Sequence, residues 1–214
     1  PEQTLAQAEH DLERAFALQP THLSHYQLTL EPNTVFFARP PQGIPDDDDA
    51  WDMQEHCQRL LADAGYAQYE VSAYARPGRQ SQHNLNYWRF GDYLGIGAGA
   101  HGKISSGAGQ QVLRRWKHKH PQTYMDTAGT TASIGGDEVI DAARLPFEYM
   151  LNLLRLHEGF RFKDFESRTG LDRSRIAEPL QAAIARGWMT VDGEHVQPTE
   201  LGRRFTNDVV ELFL

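Results

Sequence analysis

HNLNYWRFGDYLGIGAGAH, residues 83–101, decides how the rest of the chain is read. Its second half, GIGAGA, superficially meets the dinucleotide fingerprint G-x-G-x-x-A, with Gly95, Gly97 and Gly99. That loop works only where it opens a helix, because the helix N-terminus holds the pyrophosphate. The next residues in the chain, HGKISSGAG, carry no helical signal. A dinucleotide fold is therefore set aside. The glycines read better as a strand that another backbone or a flat ligand approaches closely, or as relief of crowding where strands bend.

Working backward, the chain alternates helix and strand. Thr4 and Gln7 read as a capping box at the start of a helix at 4–18, with Leu5, Ala8, Leu12, Ala15 and Phe16 marking one helical face. A strand is expected at 22–30, with Tyr26, Leu28 and Leu30 on one face. The acidic run Asp46–Asp49 opens a helix at about 48–64 that stops at Gly65, and a second strand comes at 69–75. Carboxylates at that position cap free N–H groups and oppose the helix dipole, so the run needs no metal to explain it. Connections of this length predict βα units of a parallel sheet.

Working forward, residues 103–137 hold few regular signals, and 128–136 read as a surface loop or linker. Helical periodicity returns near 138, with Phe147, Met150, Leu151 and Leu154 in one stripe. Helices are expected at 162–169 and 172–186, then a hairpin turning at Asp192-Gly193, then a closing helix from Thr199 to Leu214. That order resembles a winged helix. Its charge argues against DNA: residues 145–214 carry nine Lys+Arg against eleven Asp+Glu, a net of −2.

Composition bounds the rest. The 214 residues are 40% hydrophobic and 23% charged with a net charge of −8, unsuited to a dedicated binder of nucleic acid or anionic membrane. No apolar run approaches the ~20 residues of a membrane span. One cysteine, Cys57, cannot form an internal disulfide, and a reducing cytoplasmic setting fits. Cys57 sits in a helix beside His56, which points about 100° away, so a Cys–His nucleophile is unsupported. His118 and His120 lack a third metal ligand at familiar spacing. A chain that opens PEQTLAQAEH, without Met and directly in a helix, is expected to be a fragment.

HNLNYW itself offers an imidazole that could ligate iron and large aromatics that could cover a macrocycle. A half-buried aromatic loop with a structural histidine is the competing reading.

QTL at 3–5, YQLTLEPNT at 26–34, YEVSAYARPG at 69–78, HNLNYW at 83–88 and DYLGIGAGAH at 92–101 resemble, in order, the C-terminal portion of the HemN/HemW group of radical-SAM proteins. The resemblance implies an α/β fold: the later strands of a partial radical-SAM (β/α) barrel over residues 1–137, with a small winged-helix-like C-terminal domain over 138–214. It implies a haem chaperone that passes haem to respiratory haem proteins, the alternative being an oxygen-independent coproporphyrinogen III oxidase. HNxxYW is that group's haem signature, which makes His83 the iron ligand, Asn84 an orienting group, Tyr87 and Trp88 flanks of the ring, and His101 a second polar contact. Gln3 and the backbone of Ala75 would meet S-adenosylmethionine. The implied partners are haem and haem-accepting proteins, with a homodimer and indirect membrane association through partners as further candidates; nucleic acid is not among them.

Two departures stand out. The cluster motif CxxxCxxC is absent, so this chain cannot hold a 4Fe–4S cluster. Ala73 stands where the group usually has Asn. A barrel without its early strands would expose a parallel strand edge and is expected to self-pair or aggregate.

Overall fold

The computed structural model describes residues 1–107 and 111–214. The end of the stretch HGKISSGAG, Ala108 and Gly109, lies outside the described residues. The chain divides into two compact units, Pro1–Ser81 and Gln82–Leu214.

In the first unit, helix α1 (Leu5–Ala17) starts at Thr4, whose side chain accepts from the Gln7 amide while Gln7 reaches back to the Thr4 amide. The expected capping box is present. Strand β1 (His22–Ser24) and a short helix α2 (Val35–Ala38) come next. Helix α3 (Asp47–Asp63) is capped by Asp46, with three carboxylates in its first turn. Then come β2 (Ala67–Gln68) and β3 (Ala73–Ala75).

Two expectations fail here. The strand at 22–30 is only three residues long, and Tyr26 and Leu28 are exposed. Strands β1 and β2 both pair with β3 antiparallel, in the order β1-β3-β2, so this small sheet is not parallel. The core is nonetheless the one the helical faces specify: Ala8 and Leu12 of α1 pack with Cys57 and Leu61 of α3, Tyr66 and Tyr74. Phe16 stacks on Tyr66 at 5.7 Å, and the Tyr66 hydroxyl donates to the Pro20 carbonyl at 2.6 Å. Leu5 stays exposed.

The second unit opens with α4 (Gln82–Trp88), a helix where a loop was expected. Strands β4 (His101–Ser106) and β5 (Gln111–Lys117) form an antiparallel pair. Helix α5 (Pro121–Thr127) and a 3₁₀ turn (Thr131–Ser133) lead to β6 (Ile134–Ile140), which completes a sheet of order β4-β5-β6. The region read as loop and linker is thus an antiparallel meander.

The chain continues through helix α6 (Leu145–Leu153), β7 (Phe160–Arg161), α7 (Phe162–Thr169), a 3₁₀ turn (Arg173–Ile176), α8 (Ala177–Ala185), β8 (Met189–Asp192) and β9 (His195–Pro198). This is the expected winged-helix order, with β7 pairing β9 and Gly193 at φ +57 in the hairpin turn. The closing helix is broken at Phe205 into α9 (Glu200–Arg204) and α10 (Thr206–Glu211). The core face of α6 is Leu145, Tyr149, Met150 and Leu153, while Leu151 of the expected stripe is 45% exposed. Tyr149 is the hub, edge-on to Phe90, Phe160 and Phe165 at 5.6, 5.7 and 5.3 Å. No helix is long and apolar enough to cross a membrane among the described residues.

Candidate haem site

Helix α4 buries one side chain fully, Leu85, and ends abruptly. The Gly91 amide donates to the Asn86 carbonyl at 2.7 Å, and the Asn86 side chain donates to the Asp92 carbonyl at 3.0 Å. Phe90 takes the left-handed conformation, φ +56, that turns the chain away from the helix. Gly91 has to be glycine, since a Cβ there would overlap the Asn86 backbone carbonyl as well as its side chain.

On this helix His83 and Tyr87 are four residues apart and share a face. Their rings meet edge to face at 4.8 Å, and Tyr87 lies 4.3 Å from Tyr93. His83 itself is exposed while Tyr87 and Tyr93 are half-buried. The result is an imidazole facing solvent, backed by two phenol rings. Burial raises the Tyr93 phenol above its ordinary value, so it stays neutral.

Trp88 does not share that face. Five residues on, it lies about 140° around the helix from His83. Its indole is half-buried with the Arg155 guanidinium 4.3 Å above the ring. Its indole N–H is buried without a hydrogen-bond acceptor among the described residues. This placement makes Trp88 an anchor of α4 and sets it apart from the His83 ring. Asn84 is half-buried on the same helix. His101 begins β4, exposed, and stacks at 6.0 Å on its cross-strand partner Trp116.

The glycine run is a loop, not a strand. The close approach that Gly95 permits is to its own chain: a Cβ there would overlap the carbonyl of His101. Gly97 and Gly99 take positive φ, +116 and +70. The Tyr124 hydroxyl accepts from the Gly97 amide at 3.1 Å, pinning the loop. Leu94 and Ile96 project from it, 76% and 85% exposed.

In the first unit, Gln3 is exposed and donates to Asp11 at 3.1 Å. It lines a cavity of about 180 Å³ together with His25, Tyr26, Met53 and Gln54. Ala75 is not one of the lining residues; it is buried in the middle strand, opposite His22 on one side and Ala67 on the other. A cleft of about 820 Å³ in the second unit, lined by Tyr149, Arg161, Arg168 and His195, contains none of the sequence-derived site residues. Cys57 is fully buried, and burial raises its thiol, which excludes it as an accessible thiolate. Among the described residues no group of three His, Cys, Asp or Glu could hold a metal ion. His118 is tied to the Ala132 carbonyl at 3.0 Å.

Residues missed from the sequence are Tyr93, Lys103 and Asp92. Tyr93 sits in the quoted stretch as an ordinary aromatic, and only the helix turn at Phe90 brings it against Tyr87.

Comparison with known proteins adds to this geometry. Residues 140–205 match the family model of the HemN C-terminal domain. The whole chain is 48% identical to the Heme chaperone HemW of Escherichia coli (strain K12), covering 55% of that protein. It is 45% identical to the Heme chaperone HemW of Haemophilus influenzae, covering 54% of it. The Heme chaperone HemW of Mycobacterium tuberculosis (strain H37Rv) is 36% identical over 90% of the chain and 47% of its own length. The chain thus spans about half the length of the curated relatives it matches. Among solved structures, the coproporphyrinogen III oxidase HemN from Escherichia coli, a radical SAM enzyme, superposes with a TM-score of 0.73 at 18% identity, over 100% of this chain and 52% of that one. That likeness gives the fold.

Proposed function

We propose that this chain, which resembles the HemW haem chaperones along its full length, is the haem-handling portion of such a chaperone. The observation that carries the reading is the exposed His83 imidazole, backed by Tyr87 on a short helix pinned from behind. An exposed imidazole could ligate haem iron from this position. Asn84 is placed one residue on and would orient a polar substituent of the macrocycle. His101 is proposed as a second polar contact.

Haem is the cargo here. The residues present do not fit a 4Fe–4S cluster, since the single thiol is buried and cluster ligation takes several thiolates. No step through a cluster is derived. Gln3 is the S-adenosylmethionine candidate that faces a cavity, whereas Ala75 would offer only backbone within a ladder. At about 180 Å³ that cavity is below the roughly 300–1,000 Å³ of a ligand-enclosing pocket, so the cofactor would lie partly outside it.

We assign residues 1–137 to the later part of a radical-SAM barrel and 138–214 to the HemN-type C-terminal domain, and place the protein in the cytoplasm. Haem-accepting proteins are its proposed partners, with self-association and indirect membrane contact through those partners as further proposals. The coproporphyrinogen oxidase reading rests on the fold likeness to HemN and on the family match of residues 140–205, and gains no site residue here.

The test is a haemin titration read at the Soret band, with His83→Ala beside the unaltered chain. Saturable binding that weakens or shifts in the variant supports the reading. Identical spectra would return His83 to a structural role and move the oxidase reading forward.

A further inference from the structure

Behind the His83–Tyr87 pair lies a buried cation that neither the sequence motif nor the haem reading uses. The Lys103 side chain is 5% exposed. An ammonium has three protons to place, and Lys103 Nζ has three acceptors: the Phe90 carbonyl at 3.0 Å, Asp92 Oδ1 at 3.1 Å and Ser105 Oγ at 3.4 Å. It also sits 4.0 Å over the Phe90 ring. Asp92 is itself fixed, accepting from the Ser105 amide at 2.9 Å and the Ser105 hydroxyl at 2.8 Å.

These contacts fall on the two residues that turn the chain out of α4. Phe90 holds the left-handed turn, and Asp92 precedes Tyr93. Tyr93 is locked to Lys103 again through the backbone, with each amide donating to the other's carbonyl at 2.9 and 3.0 Å. A continuous path therefore runs from Lys103 to Tyr93, from Tyr93 to Tyr87 at 4.3 Å, and from Tyr87 to His83 at 4.8 Å.

We infer that Lys103, clamped by Asp92, is the positioning residue that sets how α4 presents His83 to a haem iron. The inference rests on the proposed role of His83. A bound ring needs the imidazole at one angle. If the Lys103 clamp is lost and α4 shifts about its remaining anchors, Leu85, Trp88 and Arg89, only a fraction of molecules offer that angle, and the apparent affinity falls by the same fraction.

Lys103→Met keeps the aliphatic stem and removes all three donors. Haemin titrations would follow the Soret band for the unaltered chain, Lys103→Met, Asp92→Asn and His83→Ala, with far-UV circular dichroism and the melting temperature measured alongside. Lys103→Met is expected to weaken haemin binding roughly tenfold if about a tenth of the helices remain competent, and to broaden or shift the Soret band at saturation. A merely structural role would lower the melting temperature and leave the band of the folded, saturated protein where it was. Should Lys103→Met fail to fold, Asp92→Asn decides: it leaves the Phe90 contact in place and is expected to show the same spectral change to a smaller degree. Affinity and Soret band equal to those of the unaltered chain, while His83→Ala differs, would overturn the inference alone. An unaffected His83→Ala would remove the haem reading and the inference together.

Discussion

Glu148 of α6 is the buried charge on which the second unit depends, and its replacement by glutamine gives a decisive test. Its side chain is 3% exposed and accepts from Arg114 Nη1 at 3.2 Å and Nη2 at 2.6 Å, a two-pronged pair that ties β5 to α6. Arg144 adds a longer contact at 3.4 Å from a half-exposed position. In Glu148→Gln one oxygen survives as an acceptor, and an NH₂ is turned toward a guanidinium that can only donate. One charge-assisted bond is lost and the other weakened, at about 1.5–3 kcal/mol for a hydrogen bond to a charged group. Arg114 is partly exposed and can recover some hydration, so a cost of about 2 kcal/mol is expected. At about 2–4 °C per kcal/mol for a chain of this size, the melting temperature should fall by about 4–8 °C. Arg114→Met is expected to cost more, because it strands the carboxylate inside the fold. The assay is a double-mutant cycle by urea denaturation, with Glu148→Gln, Arg114→Met and the double variant. A coupling free energy under about 0.5 kcal/mol, as between independent sites, would refute the claim that this pair joins sheet to helix.

Gly202 of α9 is buried, and a Cβ there would overlap the Trp188 carbonyl, so Gly202→Ala should cost about 1–3 kcal/mol by overpacking; an unchanged melting temperature would show that α9 can simply move. His25 in the first unit is held below its ordinary value by burial. The unfolded chain therefore binds more protons in the window from about 6.5 down to the folded value, and stability is lost as pH falls through it. His25→Gln should flatten that part of the urea-midpoint profile between about pH 7.5 and 5, and an identical profile in the variant would mean that other groups carry it.

Much of this fold was legible because local signals and burial agree. Thr4 with Gln7, Asp46 with its neighbouring carboxylates, and Asp192-Gly193 are each short, chemically specific punctuation, and each sits at the element end it announced. The order of helices and hairpin in the last third of the chain could be read for the same reason. What failed lacks such punctuation. Strands β4–β6 carry Gly, Ser, Arg and Lys where an apolar alternation was sought, and they are held by long-range pairing that no window of sequence contains. The pattern Tyr26-Leu28-Leu30 looks like one face of a strand, yet Tyr26 and Leu28 are exposed, and alternation alone supplied no partner strand.

The candidate site divides along the same line. His83 and Tyr87 were visible as residue types four apart, but their shared face required α4, and α4 spans only seven residues with a single fully buried side chain to announce it. Once the helix exists, the same spacing that joins His83 to Tyr87 separates Trp88 from both, so a six-letter motif resolves into two jobs. His83 and Tyr87 face outward. Trp88 lies under Arg155, and Arg89 next to it pairs with Glu158 at 2.7 Å, so that end of the helix is tethered from two sides. A short helix with one buried side chain cannot hold its own orientation. The accuracy of the imidazole is therefore supplied from outside the motif, by Lys103, Asp92, Arg155 and Glu158, residues that reading HNLNYW alone could not have selected.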